Sequence, residues 1–174
     1  QTEEDLAPML KFQSTAALGV VYCGIFPVFA IRLLLVHHAF VFFFGLLAIV
    51  FSGDTLAYLT GRFWGRHRLL SPVSPKKTVE GAIGGLVGSA LSGGALSYFL
   101  SGPTNIYLLV GVGLLTGMAA QFGDLFESLL KRVAKVKDSG SIMPGHGGLL
   151  DRIDGVYFGA PIFYLLLNLL NFLN

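Results

Sequence analysis

The stretch LLVGVGLLTGMAAQFGDLFESLLKRVAK, residues 108–135, opens as an apolar run studded with glycine and closes as an alternation of leucines with acids and bases. About 20 apolar residues are what an α-helix needs to cross a bilayer. The helical pattern here outlasts the apolar run, because Gln121, Asp124, Ser128 and Lys131 recur at intervals of three or four and so lie near one face. The stretch predicts a membrane span that carries an amide, an acid, a hydroxyl and an amine in order across the membrane boundary. Glu127 falls on a neighbouring stripe, where it joins that row or pairs with Lys131 four residues on.

The rest of the chain agrees with a membrane reading. Charged residues are 13% of the 174 and apolar residues 53%, whereas soluble domains are about a quarter charged. A formal charge of +2 is too small to argue for nucleic acid. Apolar runs give five expected spans, 12–35, 39–61, 81–100, 105–123 and 155–173. The fold class is therefore an all-α, polytopic transmembrane helix bundle, with residues 1–174 forming one catalytic domain. The acidic QTEED start has no basic n-region of a signal peptide, and the chain is expected to be the C-terminal part of a longer one. Cys23, the single cysteine, excludes a disulfide within the chain and is expected to be a small buried hydrophobe.

With five spans, the tail and the segments 62–80 and 124–154 share one face. Lysine plus arginine number five in each of those segments and one in the tail, against Arg32 alone on the other side. The positive-inside rule makes the shared face cytoplasmic. Gly84 and Gly88, and Gly113 and Gly117, stand four apart in the third and fourth spans, the spacing that lets helices pack closely in lipid. His37 and His38 on the opposite side are read as interfacial, and Trp64 and the many phenylalanines as facing lipid or its boundary.

Asp54 lies late in the second span with Tyr58 and Gly61 on its helical face and Arg62 close by. A carboxylate inside a span is costly, so Asp54 should face a cation or a wet cavity within the bundle. In SPKKTVEGAIGG, Ser74 and Pro75 read as the N-cap and first residue of the third helix, which places Lys76 and Lys77 in its first turn. Two lysines oppose the helix dipole there, a conflict that a bound phosphate would remove; anchoring to anionic headgroups explains them as well. The loop KDSGSIMPGHGGLLDRID, residues 137–154, adds Lys137, His146 and the acids Asp151 and Asp154, three apart. His146 is read as a phosphate donor or loop-ordering residue before a general base. Aspartates without cysteine suit a hard cation such as Mg2+, and such an ion beside clustered lysines and arginines is what phosphoryl or nucleotidyl transfer needs.

Ser128 to Asp154 closely resembles the C-terminal motif of the CDP-diacylglycerol synthases, also called phosphatidate cytidylyltransferases: a serine, a Lys-Arg, a Lys-Asp, a His-Gly-Gly and an Asp-Arg-x-Asp. GDTLAYLTGRFWGRH and SPKKTVEGAIGG are similar to upstream segments of that family. The resemblance implies a Mg2+-dependent reaction of CTP with phosphatidate that gives CDP-diacylglycerol and pyrophosphate. It also implies a dimeric enzyme of the inner, or another phospholipid-making, membrane. Carried onto this sequence, Asp124 and Asp151 hold the metal, with Asp54 and Asp154 as further candidates. Lys131 and His146 join these two acids as catalytic residues, and Lys76, Lys77, Ser128, Arg132, Lys137 and Arg152 bind the substrates. A CTP-dependent lipid-alcohol kinase would need the same phosphate and metal chemistry. A small cation channel would use Asp54 and Asp124 as ion ligands, but predicts charge on both sides of its pathway. A scaffold held to anionic lipid by loop charge alone would have no use for GHGG.

Overall fold

The computed structural model describes residues 3–100, 105–136, 139–140, 148 and 150–173. Helix α1 (Glu3–Gly19) passes through a π-helical turn (Val20–Ile25) into α2 (Phe26–Arg32) and a 3-10 turn (Leu33–Leu35). There follow α3 (Ala39–Trp64), a ribbon of β1 (Arg68–Leu70) and β2 (Ser74–Thr78), α4 (Val79–Ala95), α5 (Ile106–Val133) and α6 (Leu150–Leu169). Four segments, Pro8–Leu35, Ala39–Trp64, Val79–Tyr98 and Ile106–Val133, are long and apolar enough to cross a membrane, and Ile153–Leu169 is a shorter apolar helix. The expected bundle is the observed one, with the shortest apolar stretch in its fifth helix.

Local chemistry sets the boundaries. His38 adopts the left-handed conformation, φ 59°, at the turn into α3. The Asn105 side chain accepts a hydrogen bond from the Tyr107 N–H at 3.0 Å and so starts α5. The π-helical turn ends where the Phe26 N–H reaches back to the Val21 carbonyl; Pro27 follows and has no N–H to donate.

One expectation fails at α4. Ser74 and Pro75 do not begin a helix; they begin β2, which pairs antiparallel with β1 through Arg68 with Thr78 and Leu70 with Ser74. The cap is Thr78, whose hydroxyl accepts from the Gly81 N–H at 3.1 Å, and the first turn carries Glu80. The dipole conflict disappears because Lys76 and Lys77 stand on a strand, and the charge at the helix start is negative, as the dipole prefers.

The core lies between α3, α5 and α6, where Phe42, Leu46, Ile49, Leu109 and Phe163 are fully buried. Beside it runs a glycine seam. A Cβ on Gly93 would lie 2.6 Å from Gly113 Cα, and one on Gly113 would strike the Ser89 carbonyl oxygen, so α4 and α5 touch backbone to backbone. A Cβ on Gly88 would lie 2.8 Å from the Ser52 carbonyl oxygen, which extends the seam to α3. Hydroxyls fasten it: Ser89 donates to the Ile49 carbonyl at 3.0 Å and Ser92 to the Ser52 hydroxyl at 2.7 Å. The reading of these glycines as packing residues holds, and in lipid such contact replaces the missing hydrophobic force between helices. Phe12, Phe40, Phe63 and Trp64 are exposed on the outer surface, as lipid-facing side chains should be. Cys23 is exposed too, contrary to expectation, because the turn that carries it points its neighbour Tyr22 inward instead.

Candidate functional site

The two charge-rich segments meet at one end of the bundle. Lys77 on β2 pairs with Asp124 on α5 at 2.5 Å, and Arg132 Nε donates to the Val73 carbonyl at 3.3 Å. The ribbon therefore lies against the polar end of α5, bound at two points. Its other end is fastened by Glu80, which accepts from the backbone N–H groups of Arg66 and His67 at 3.0 and 3.2 Å and contacts His67 Nδ1 at 2.6 Å.

A cleft of about 380 Å3 opens between α3, the ribbon, α4 and α5. Asp54, Tyr58, Gly61 and Arg62 form one wall, as their shared helical face predicts, and Lys76, Lys77, Gln121 and Asp124 complete the polar lining. Ala57, Leu69, Ala82 and Leu125 make the remainder apolar. Asp54 forms no ion pair with Arg62, which instead donates to the Tyr58 hydroxyl at 2.7 Å. The Asp54 carboxyl lies within electrostatic reach of Asp124 and Lys77, so it faces the cleft.

A second pocket, about 500 Å3, lies further along the same ribbon-facing side of α5 and is strongly basic: Val73, Ser74, Ser128, Lys131, Arg132, Lys135 and Val136 line it. Here the helical row read from sequence holds, since Gln121 and Asp124 line the first cleft while Ser128 and Lys131, further along the same face, line the second. Lys131 anchors a carboxylate cluster, its ammonium donating to Glu127 Oε2 at 3.0 Å and to Asp151 Oδ1 at 2.6 Å. Asp151 Oδ2 accepts from the Ser139 N–H, the Ser139 hydroxyl and the Gly148 N–H, all at 2.9 Å. Asp154 adjoins Glu127 and lies within electrostatic reach of Asp124 and Asp54.

Burial works to raise the Asp151 carboxyl, but the Lys131 ammonium and then the Ser139 and Gly148 donors outweigh it and hold the group well below the usual carboxylate range. A depressed folded-state value means that the anchoring is fully present above the ordinary aspartate value of about 3.9 and is lost as pH falls through that value toward the folded one. Asp151→Asn should therefore be less stable than wild type at neutral pH. Denaturation followed from pH 7 downward should show that gap closing on acidification; a gap independent of pH would remove the charge from the explanation.

The donor set fits a hard cation. Every candidate ligand is a carboxylate, and Glu127, itself 2% exposed, keeps Oε1 buried with no hydrogen-bond partner among the described residues. No three acids or histidines enclose an ion by themselves among the described residues. Mg2+ does not require that, since it binds through one or two carboxylates and completes its shell with water and substrate phosphates. Asp124 and Asp154 have oxygens more open to an ion than Asp151, whose two oxygens already accept four protein donors. Lys137 and His146 lie outside the described residues, as does the side chain of Arg152, which stands on the first turn of α6. Sequence reasoning left the role of Glu127 open and missed Tyr22, which packs beneath it; nothing in an apolar run distinguishes an inward tyrosine from one that faces lipid.

Comparison with known proteins accounts for this arrangement. Residues 5–170 match the model of the cytidylyltransferase family. The chain is 48% identical over 119 residues to a phosphatidate cytidylyltransferase of Staphylococcus aureus, covering 68% of this chain and 46% of that protein. It is 40% identical over 182 residues to the chloroplastic phosphatidate cytidylyltransferase 4 of Arabidopsis thaliana, covering 91% of this chain and 46% of that protein. A Synechocystis phosphatidate cytidylyltransferase is 47% identical over 128 residues, 71% of this chain and 43% of its own. The chain thus spans a little under half the length of these relatives. With nearly its whole length matched, it is an integral membrane protein that belongs to the cytidylyltransferase family.

Proposed function

We propose that the protein transfers the cytidylyl group of CTP to phosphatidate, giving CDP-diacylglycerol and pyrophosphate, at a site facing the cytoplasm. The observation that carries this reading is the pair of unlike pockets that follow one another along one face of a single acid-bearing helix. The cleft beside Asp54 and Asp124 combines an apolar lining with Arg62, Lys76 and Lys77, the chemistry of an acylated phosphate. The basic pocket of Ser128, Lys131, Arg132 and Lys135 suits a triphosphate. The relatives' names support the pairing of these two substrates, and the lysine and arginine asymmetry of the chain supports the orientation.

In the reaction a phosphatidate oxygen forms a bond to the α-phosphorus of CTP while the bond from that phosphorus to the bridging oxygen of the β-phosphate breaks, and pyrophosphate leaves. Mg2+ held by Asp124 and Asp154, with Asp54 and Asp151 beside them, would neutralise the phosphates when bound. Lys77 and Lys76 orient the lipid phosphate, and Arg132, Lys135 and Ser128 hold the nucleotide phosphates. Lys131 keeps the carboxylates of Glu127 and Asp151 apart and in place. Catalysis of this kind is positioning and charge stabilisation, and it needs no covalent intermediate on the protein.

The full-length protein in lipid nanodiscs, given CTP labelled at the α-phosphorus, phosphatidate and Mg2+, should place the label in the lipid phase and release pyrophosphate. Release of CDP with phosphorylation of a lipid alcohol would overturn the reading in favour of a kinase.

A further inference from the structure

Beneath the carboxylate cluster lies a tyrosine that the reaction described so far does not use. Tyr22 is 4% exposed, and its hydroxyl is buried without a hydrogen-bond partner among the described residues. A buried hydroxyl left unsatisfied destabilises a fold, so its retention beside another unpartnered group calls for a reason. Its ring is enclosed edge-on by Phe126 and Tyr157, both at 5.7 Å between centroids, and by Phe158 at the same distance. Phe126 immediately precedes Glu127 on α5, and Tyr157 and Phe158 lie one helical turn beyond Asp154 on α6. The carboxylates that act electrostatically on the Tyr22 hydroxyl are those of Asp154 and Glu127, and Glu127 Oε1 is the other buried atom without a partner in this region. Tyr22 occupies the π-helical turn of the first membrane segment, a distortion that widens the helix locally and recurs at functional sites.

We propose that Tyr22 is a positioning residue: its hydroxyl donates through one bridging water to the Glu127–Asp154 carboxyl pair and sets the orientation in which Glu127 holds Lys131. The inference rests on the cytidylyltransferase reading of the site. It gives the first membrane segment a part in the chemistry that the motif-bearing helices alone do not show. Two unsatisfied buried groups are then satisfied together, and the π-turn is what turns the phenol inward while Cys23 stays outside.

The test is a double-mutant cycle in the full-length protein. Tyr22→Phe removes the hydroxyl and keeps the ring packed; it should lower kcat about tenfold, with KM for CTP and phosphatidate within about twofold of wild type. In a Glu127→Gln or Asp154→Asn background the neutral partner accepts more weakly, so the same change should cost no more than about twofold. Thermal unfolding supplies a readout that does not depend on turnover: Tyr22→Phe should lower Tm in the wild-type background and lower it less in either acid variant. Packing alone predicts additive effects in both measurements, and additivity would overturn the proposal. If the protein proves inactive toward CTP and phosphatidate, the Tm cycle alone decides whether Tyr22 and the acids are coupled, and the functional reading fails separately.

Discussion

Asp124→Asn should reduce kcat by about a thousandfold, the scale on which loss of a principal electrostatic stabiliser acts, while the bundle stays folded. The substitution keeps the size of the side chain and removes only its charge. Among the described residues Asp124 is the one acid that both lines the first cleft and pairs with Lys77, and it lies within electrostatic reach of Asp54 and Asp154. Its loss therefore frees Lys77 and withdraws an oxygen ligand from between the two pockets. Side-chain exposures of 27% and 39% for Lys77 and Asp124 make the ion pair itself a small contributor to stability, so Tm should move little. A variant that turned over at near the wild-type rate would remove Asp124 from the chemistry, and a variant that failed to fold would show its role to be structural.

Lys131→Met should cause the largest loss of stability of any single substitution at the site. The ammonium serves two carboxylates, Glu127 and Asp151, whose side chains are only 3% and 14% exposed. Removing one member of a buried charged cluster and leaving the others uncompensated costs about 3–5 kcal/mol, enough to unfold a marginal protein. Because the penalty comes from stranded negative charge, adding Glu127→Gln to Lys131→Met should recover part of the stability, measured as Tm in detergent, without recovering turnover. If the double variant were less stable than the single one, the cause would be lost packing of the lysine stem.

Much of this arrangement is legible in the sequence because lipid simplifies the code. Apolar runs give the helices, the four-residue spacing of Gly84 with Gly88 and of Gly113 with Gly117 gives part of the seam, and the concentration of lysine and arginine brings the 62–80 and 124–154 segments to one end. The face of Asp54, Tyr58 and Gly61 also emerges as read. What misleads is local competition: Ser74-Pro75 has the form of a helix start, but pairing with Arg68–Leu70 draws it into a strand and leaves the capping to Thr78. The row from Gln121 to Lys131, by contrast, emerges as read, its first two residues lining one pocket and its last two the next along the ribbon. Glu127 pairs with Lys131, one of the two outcomes its spacing offered, whereas Tyr22 was hidden in an apolar run. Whether a residue on a helix faces lipid, pocket or neighbour is settled by tertiary packing, and here that packing depends on a π-turn with no single-residue signature.

The shortness of α6 affects how the amphiphilic substrate is met. Its apolar part, Ile153–Leu169, is about 26 Å long at 1.5 Å per residue, against a hydrocarbon thickness of about 30 Å. A bilayer adjusts to such a mismatch by thinning locally. Asp151 stands in the first turn of that helix and Asp154 just after it, so thinning at this end would bring the headgroup plane toward the acids.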